Sequence, residues 1–147
     1  MMRRRSFLFL APACLLAVGK GQAAEGGLPP EVPLPSIARE VTVAEAAAIL
    51  PQQPLTILDV RSAPEVTSQG RIPGSKHVDF FREDFAQAVL QNLKIDPARP
   101  CLVYCAIGGR SRRAAQKLAD MGFKEVLVLK GGFNAWKKAG HPVETVK

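Results

Sequence analysis

Cysteine and histidine are scarce in this chain, with three of the first and two of the second in 147 residues. Cys14 sits in an N-terminal apolar run, and about 13 Å of strand separates Cys101 from Cys105. A disulfide needs Cα atoms within about 7 Å, so these two cannot pair and a disulfide framework is excluded. His77 opens a strand-like run and His141 sits in the turn Gly140-His141-Pro142, so both read as structural or exposed. No His/Cys spacing suggests a metal, no cofactor is implied, and no histidine is placed as a general base. No lysine-arginine stripe interleaved with aromatics appears, which argues against nucleic acid as a partner. The longest apolar run, 7–18, contains Pro12 and stops at Lys20, short of the roughly 20 residues of a spanning helix, so no stable membrane anchor is expected. Internal repeats are absent.

The N-terminus carries a pattern of its own. Arg3-Arg4-Arg5, the apolar run and Gly21-Gln22-Ala23-Ala24 together read as a secretory signal peptide, with the mature chain starting near Ala24 or Glu25. Arg4-Arg5-Ser6-Phe7-Leu8 is similar to the twin-arginine export motif, with Phe9 departing from the lysine often found there. An ordinary Sec signal with an arginine-rich start is the alternative, and a lipoprotein site at Cys14 would have a very short apolar region. Export, most simply to a periplasm, is the expectation. Loss of Arg3, Arg4, Arg5 and Lys20 would lower the formal charge from +7 to +3, so the basic balance is partly an export effect. The expected organisation is a signal peptide at 1–24, an extended linker at 25–40 carrying Pro29-Pro30, Pro33 and Pro35, and one domain at 41–147.

From Val41 onward, short apolar runs alternate with amphipathic stretches, the pattern of βα units and a parallel sheet. Thr42-Val43-Ala44-Glu45 and Ser62-Ala63-Pro64-Glu65 read as capping boxes starting helices at 43–50 and before Gly70. Strands are expected at 55–60, 77–80, 101–105 and 126–129, with helices at 81–93, 111–121 and 133–138. Phe81, Phe85, Val89 and Leu93 fall at helical spacing and read as core contacts.

Cys105 ends its strand and opens the loop Ala106-Ile107-Gly108-Gly109-Arg110, with a helix starting at Ser111. A thiol so placed faces backbone N–H groups and the positive end of a helix, which favours the nucleophilic thiolate. Ala106 and Ile107 are apolar, so amides supply most of the anion cradle, and Gly108 and Gly109 permit the positive φ that aims them inward. Arg110 adds the loop's one formal charge. With no base nearby, activation must come from loop and helix, which suits sulfur transfer by thiol–disulfide-exchange logic.

This loop and its flanks resemble the rhodanese family of sulfurtransferases. Ile57-Leu58-Asp59-Val60-Arg61 and Gly70-Arg71-Ile72-Pro73-Gly74-Ser75 look like its amino-terminal signature. Gly131-Gly132-Phe133-Asn134-Ala135-Trp136, closed by Gly140-His141-Pro142-Val143, looks like its carboxyl-terminal one. The resemblance implies a three-layer α/β/α fold whose five-stranded parallel sheet runs in the order 3-2-4-5-1. That order brings Asp59 and Arg61 near the loop as supporting residues with Ser111; Arg61 either faces substrate or pairs with Asp59 or Glu65 to hold the turn. It also implies a small sulfur-containing anion as donor, such as thiosulfate, a thiol or cyanide as acceptor, and a persulfide on Cys105. A protein sulfur acceptor is a further candidate partner. Many members carry a basic residue where this chain has Ala106. A persulfide carrier or partner-binding module with little turnover is the alternative. Cysteine phosphatases, including those with this fold, place five residues between cysteine and arginine, against four here.

Overall fold

Continuous apolar runs form the middle of the sheet, as burial on both faces requires. The computed structural model describes residues 32–147. The signal-peptide reading of 1–24 and residues 25–31 of the expected linker lie outside them. Strands β1 (Ala38–Val41), β2 (Thr56–Asp59), β3 (Lys76–His77), β4 (Cys101–Tyr104) and β5 (Val126–Leu129) make one parallel sheet in the order β1-β5-β4-β2-β3. This is the 3-2-4-5-1 order read from its other edge, in a rhodanese-like α/β fold. The helices are α1 (Val43–Ile49), α2 (Ala63–Gln69), α3 (Phe85–Gln87, continuing into a π-helical turn, Ala88–Asn92), α4 (Gly109–Asp120) and α5 (Gly132–Lys138). The capping box of α1 is formed, with the Thr42 N–H donating to Glu45 at 2.7 Å and the Glu45 N–H to the Thr42 hydroxyl at 3.2 Å.

Side chains alternate across β4 with period two. Cys101, Val103 and Cys105 belong to the core layer packed with Phe85, Val89, Ala114, Ala115 and Leu118 of α3, its π turn and α4. Leu102 and Tyr104 face the other layer, with Ala46 of α1 and Phe133 and Trp136 of α5. Cys105 therefore points to the α4 side.

Four expectations need correction. Residues 38–40 are not linker but the edge strand β1, and Leu34 and Ile37 before it pack on the core. Arg39 and Glu40 are exposed, so an edge strand with proline before it carries almost no apolar signal. The strand expected at 77–80 is only Lys76–His77; beyond it the chain stays attached through the Val78 and Phe80 N–H groups, bonded to the Asp59 and Val60 carbonyls. The helix expected from 81 begins at Phe85, which leaves Phe81 70% exposed instead of in the core. Finally, α4 starts at Gly109, two residues before Ser111.

A buried ion pair fixes the end of β2. The Arg61 guanidinium, with no solvent exposure, donates to Asp59 through Nη2 at 2.6 Å and Nε at 3.0 Å, and Nη2 also reaches the Gly70 carbonyl at 2.7 Å. The Tyr104 hydroxyl donates to Asp59 at 2.8 Å and accepts from the Ile72 N–H at 3.1 Å. Burial pulls the Arg61 pKa down, but the hydrogen bonds and charge of Asp59 outweigh it and the net direction is upward. Breaking a buried pair leaves one charge stranded, at a cost of about 3–5 kcal/mol, whereas an apolar replacement of both partners is often tolerated. Arg61→Met should lose about that much stability in denaturant unfolding, and Asp59→Leu/Arg61→Met should recover at least half of it.

Candidate active site

The helix N-terminus beside Cys105 has no side chain to cap it. The N-cap of α4 is Gly108, at φ 128°, where Ser, Thr or Asp usually supplies an oxygen to the first-turn N–H groups. Cys105 sulfur occupies that neighbourhood, accepting from the Gly108 N–H at 3.1 Å. Its thiol donates to Ser111 Oγ at 3.5 Å, while the Ser111 hydroxyl donates to the Gly108 carbonyl at 2.9 Å. Cys105 and Ser111 are both buried. Ala106 is half-buried, and Ile107 at the loop crest is 69% exposed. Gly109 and Arg110, expected in the loop, form the first residues of α4.

The loop is held from outside by α5. The Phe133 N–H donates to the Cys105 carbonyl at 2.8 Å and the Asn134 N–H to the Ala106 carbonyl at 3.0 Å. Such proximity requires Gly132: a Cβ there would lie 2.5 Å from the Cys105 carbonyl oxygen and 2.6 Å from that of Ala106. Gly132 also has φ 61°, in the left-handed region. The sequence motif contains this glycine, but its role as the loop's seat is visible only once α5 is placed against β4.

Asp59 and Arg61 reach the site indirectly. They share the sheet face of Tyr104, opposite the Cys105 side chain, and the Arg61 guanidinium lies 4.0 Å from the centre of the Phe133 ring. Of the two roles open to Arg61, the structure has it paired with Asp59. Glu65 pairs instead with Arg110, whose Nη1 and Nη2 each donate to its carboxylate at 2.7 Å. The hydrogen bonds from Arg110, with further help from Ser62, hold the Glu65 carboxyl down at about 2. His77 donates through Nε2 to the Arg61 carbonyl at 2.7 Å, a structural role. Among the described residues, no group of three or more His, Cys, Asp or Glu is placed to hold a metal ion. A cleft of about 400 Å³ opens beside β3, lined in part by His77, Asp79 and Arg82, but Cys105 is not in its wall. The thiol at the helix N-terminus therefore lies apart from that cleft.

The rhodanese-like domain family matches residues 42–139. The chain belongs to the rhodanese-like family. It is 32% identical over 105 residues to the thiosulfate sulfurtransferase GlpE of Coxiella burnetii, an alignment covering 71% of this chain and 91% of that one. A rhodanese-related protein of Thermoplasma volcanium superposes with TM-score 0.58 at 25% identity, covering 71% of this chain and 96% of that one. A Rhodopseudomonas palustris protein of unknown function, described as a possible tyrosine phosphatase, gives TM-score 0.63 at 32% identity over 73% of this chain and 85% of that one. Sulfur transfer is the activity class of this rhodanese-like chain.

The two glycines fail differently on substitution. Gly132→Ala must push the rhodanese loop off its seat and should reduce both stability and transfer. A Cβ at Gly108 meets nothing within 4 Å, so Gly108→Val costs mainly its backbone conformation, about 1–3 kcal/mol, while turning the amide away from sulfur. Thermal melting beside transfer kinetics should show Gly108→Val folded with sharply reduced turnover. Wild-type kinetics there would refute the amide's role.

Proposed function

We propose that Cys105 takes a sulfane sulfur from a donor such as thiosulfate and passes it to a thiophilic acceptor such as cyanide or a thiol. The Cys105 thiolate attacks the outer sulfur of thiosulfate; a new S–S bond forms as the old one breaks, sulfite departs with the bonding electron pair, and a persulfide anion stays on Cys105. In the second half-reaction cyanide or a thiolate attacks the terminal sulfur and Cys105 leaves as thiolate. The one observation that carries this reading is the Gly108 N–H at 3.1 Å from Sγ, at the uncapped start of α4. An anion on sulfur, or on the sulfur beyond it, gains from that donor and from the helix N-terminus. The Ser111 hydroxyl is near enough to turn from the Gly108 carbonyl to the ionised sulfur. Neither half-reaction needs a proton-abstracting partner.

Hydrolysis of a phosphoester is disfavoured by the four-residue spacing from Cys105 to Arg110 and by the engagement of Arg110 with Glu65. Cys101 is not a rival nucleophile, since burial pushes its thiol up to about 12. Thiosulfate should therefore add about 32 Da, one sulfur atom, to the protein in a form that cyanide removes. Cys105→Ser should lose both the added mass and turnover, and Cys101→Ser should keep both. Turnover surviving in Cys105→Ser would overturn the assignment. An added sulfur that neither cyanide nor thiols discharge would favour the carrier reading.

The reading extends to location: the basic start, apolar run and small-residue site propose an exported protein whose mature chain begins at Ala24 or Glu25. Intact-mass analysis of the exported form tests it, and a species retaining Met1 or lipidated at Cys14 would refute it.

A further inference from the structure

Arg110 is the loop's formal cation, yet its charge is already matched. Both terminal nitrogens of its guanidinium point to Glu65, each at 2.7 Å. Glu65 is itself fixed, because the start of α2 holds its carboxylate through the Ser62 N–H at 2.9 Å and the Ser62 hydroxyl at 2.7 Å. The pair is less than a third exposed, which limits screening by solvent. Asp79 adds a second negative charge within electrostatic reach of Arg110. Position 106, next to the nucleophile, is alanine, and Ile107 presents an apolar side chain at the crest. The Arg110 charge is thus offset by the Glu65 carboxylate it lies against, with Asp79 also acting on the same guanidinium, and attraction for an anion is left mainly to amides and the helix N-terminus.

We propose that Glu65 is a specificity-determining residue which, by neutralising Arg110, turns donor choice away from dianions and toward singly charged organic persulfides. This rests on the sulfur-transfer reading above. A persulfide anion, R–S–S⁻, donates as thiosulfate does: Cys105 thiolate attacks the terminal sulfur, the S–S bond breaks, and R–S⁻ leaves with the electron pair. One negative charge enters with the persulfide and one leaves with the thiolate. With thiosulfate, two enter and two leave as sulfite. Each added unit of donor charge meets the potential at the mouth once more, so removing the Glu65 charge must help the dianion more than the monoanion. Glu65 acts through Arg110 and needs no contact with the transferred sulfur.

The experiment compares kcat/KM for thiosulfate and for 2-hydroxyethyl persulfide in wild type, Glu65→Gln and Arg110→Gln, with thermal melting to show that each variant is folded. Glu65→Gln should raise the thiosulfate-to-persulfide ratio by about threefold or more, and Arg110→Gln, which leaves Glu65 charged and unpaired, should lower it by a similar factor. A structural role alone would change both donors together and leave the ratio fixed. If Glu65→Gln is unfolded, the Arg110→Gln ratio decides by itself. Ratios that do not move while both donors charge Cys105 overturn the role of Glu65 and leave sulfur transfer standing. If neither donor charges Cys105, the sulfur-transfer reading falls and this one falls with it.

Discussion

The loop that presents Cys105 hangs from two hydrogen bonds, from the Phe133 and Asn134 N–H groups to the Cys105 and Ala106 carbonyls. Much else follows from them. A strand end and a helix start could splay apart at Ala106, since β4 has ended and α4 has not begun. The first turn of α5 closes that gap, with Gly132 as the residue that lets the backbones approach. Phe133 then connects the loop to the other sheet face, where its ring stacks on Tyr104 and underlies the Arg61 guanidinium. The Asp59–Arg61 pair is thereby part of the loop's foundation, though it does not face the sulfur. Burying it has no great intrinsic value for stability, but once buried it tolerates no half-measures.

Two helix N-termini meet at this loop and do different work. Neither α4 nor α5 has a side-chain cap; their N-caps are Gly108 and Gly131. The N–H groups that begin α5 are spent on loop carbonyls, which makes that end a clamp. At the start of α4 it is the sulfur that is met, by the Gly108 N–H. A serine or aspartate at the Gly108 position would stabilise α4 by about 1 kcal/mol and would compete for the same donors. It would also have to adopt φ 128°, which glycine alone tolerates easily. An uncapped helix start next to the Cys105 thiol thus gives up local stability and leaves backbone donors beside the sulfur unoccupied by a side chain.

The parts of this arrangement legible in the sequence were those with a strong local signal. β4 and β5 are continuous apolar runs, and the two capping-box motifs place the starts of α1 and α2 to the residue. The Cys105 loop was legible because glycines and an arginine follow a strand. β1 was not, because an edge strand bearing Arg39 and Glu40 owes its conformation to pairing with β5, roughly 90 residues later. Phe81 failed for a similar reason: helical spacing placed it with Phe85, but the helix starts too late to carry it inward. Sequence places Glu65 in a capping box, and it caps α2; that the same carboxylate also takes Arg110 depends on the crossover that sets α2 beside α4. The seat at Gly132 needs α5 and β4 together, and no window of sequence contains both.

Cys101 and Cys105 are equally buried and yet sit in different backbone surroundings. Their side chains fall on the same face of the sheet, with 0% and 1% exposure, and both belong to the same core layer. Exposure cannot tell them apart. Cys101 begins β4, where its neighbours are strand backbone already paired with β2 and β5, so nothing compensates a charge and burial drives its thiol upward. Cys105 stands past the other end, where the ladder has run out and the next donors belong to the turn and to α4. In a parallel sheet every strand has such an end, and the helix that follows starts there with free N–H groups. The polarity of the strand, carried from residue 101 to residue 105, is what gives one of two equally hidden thiols a backbone donor and the other none beyond the paired ladder.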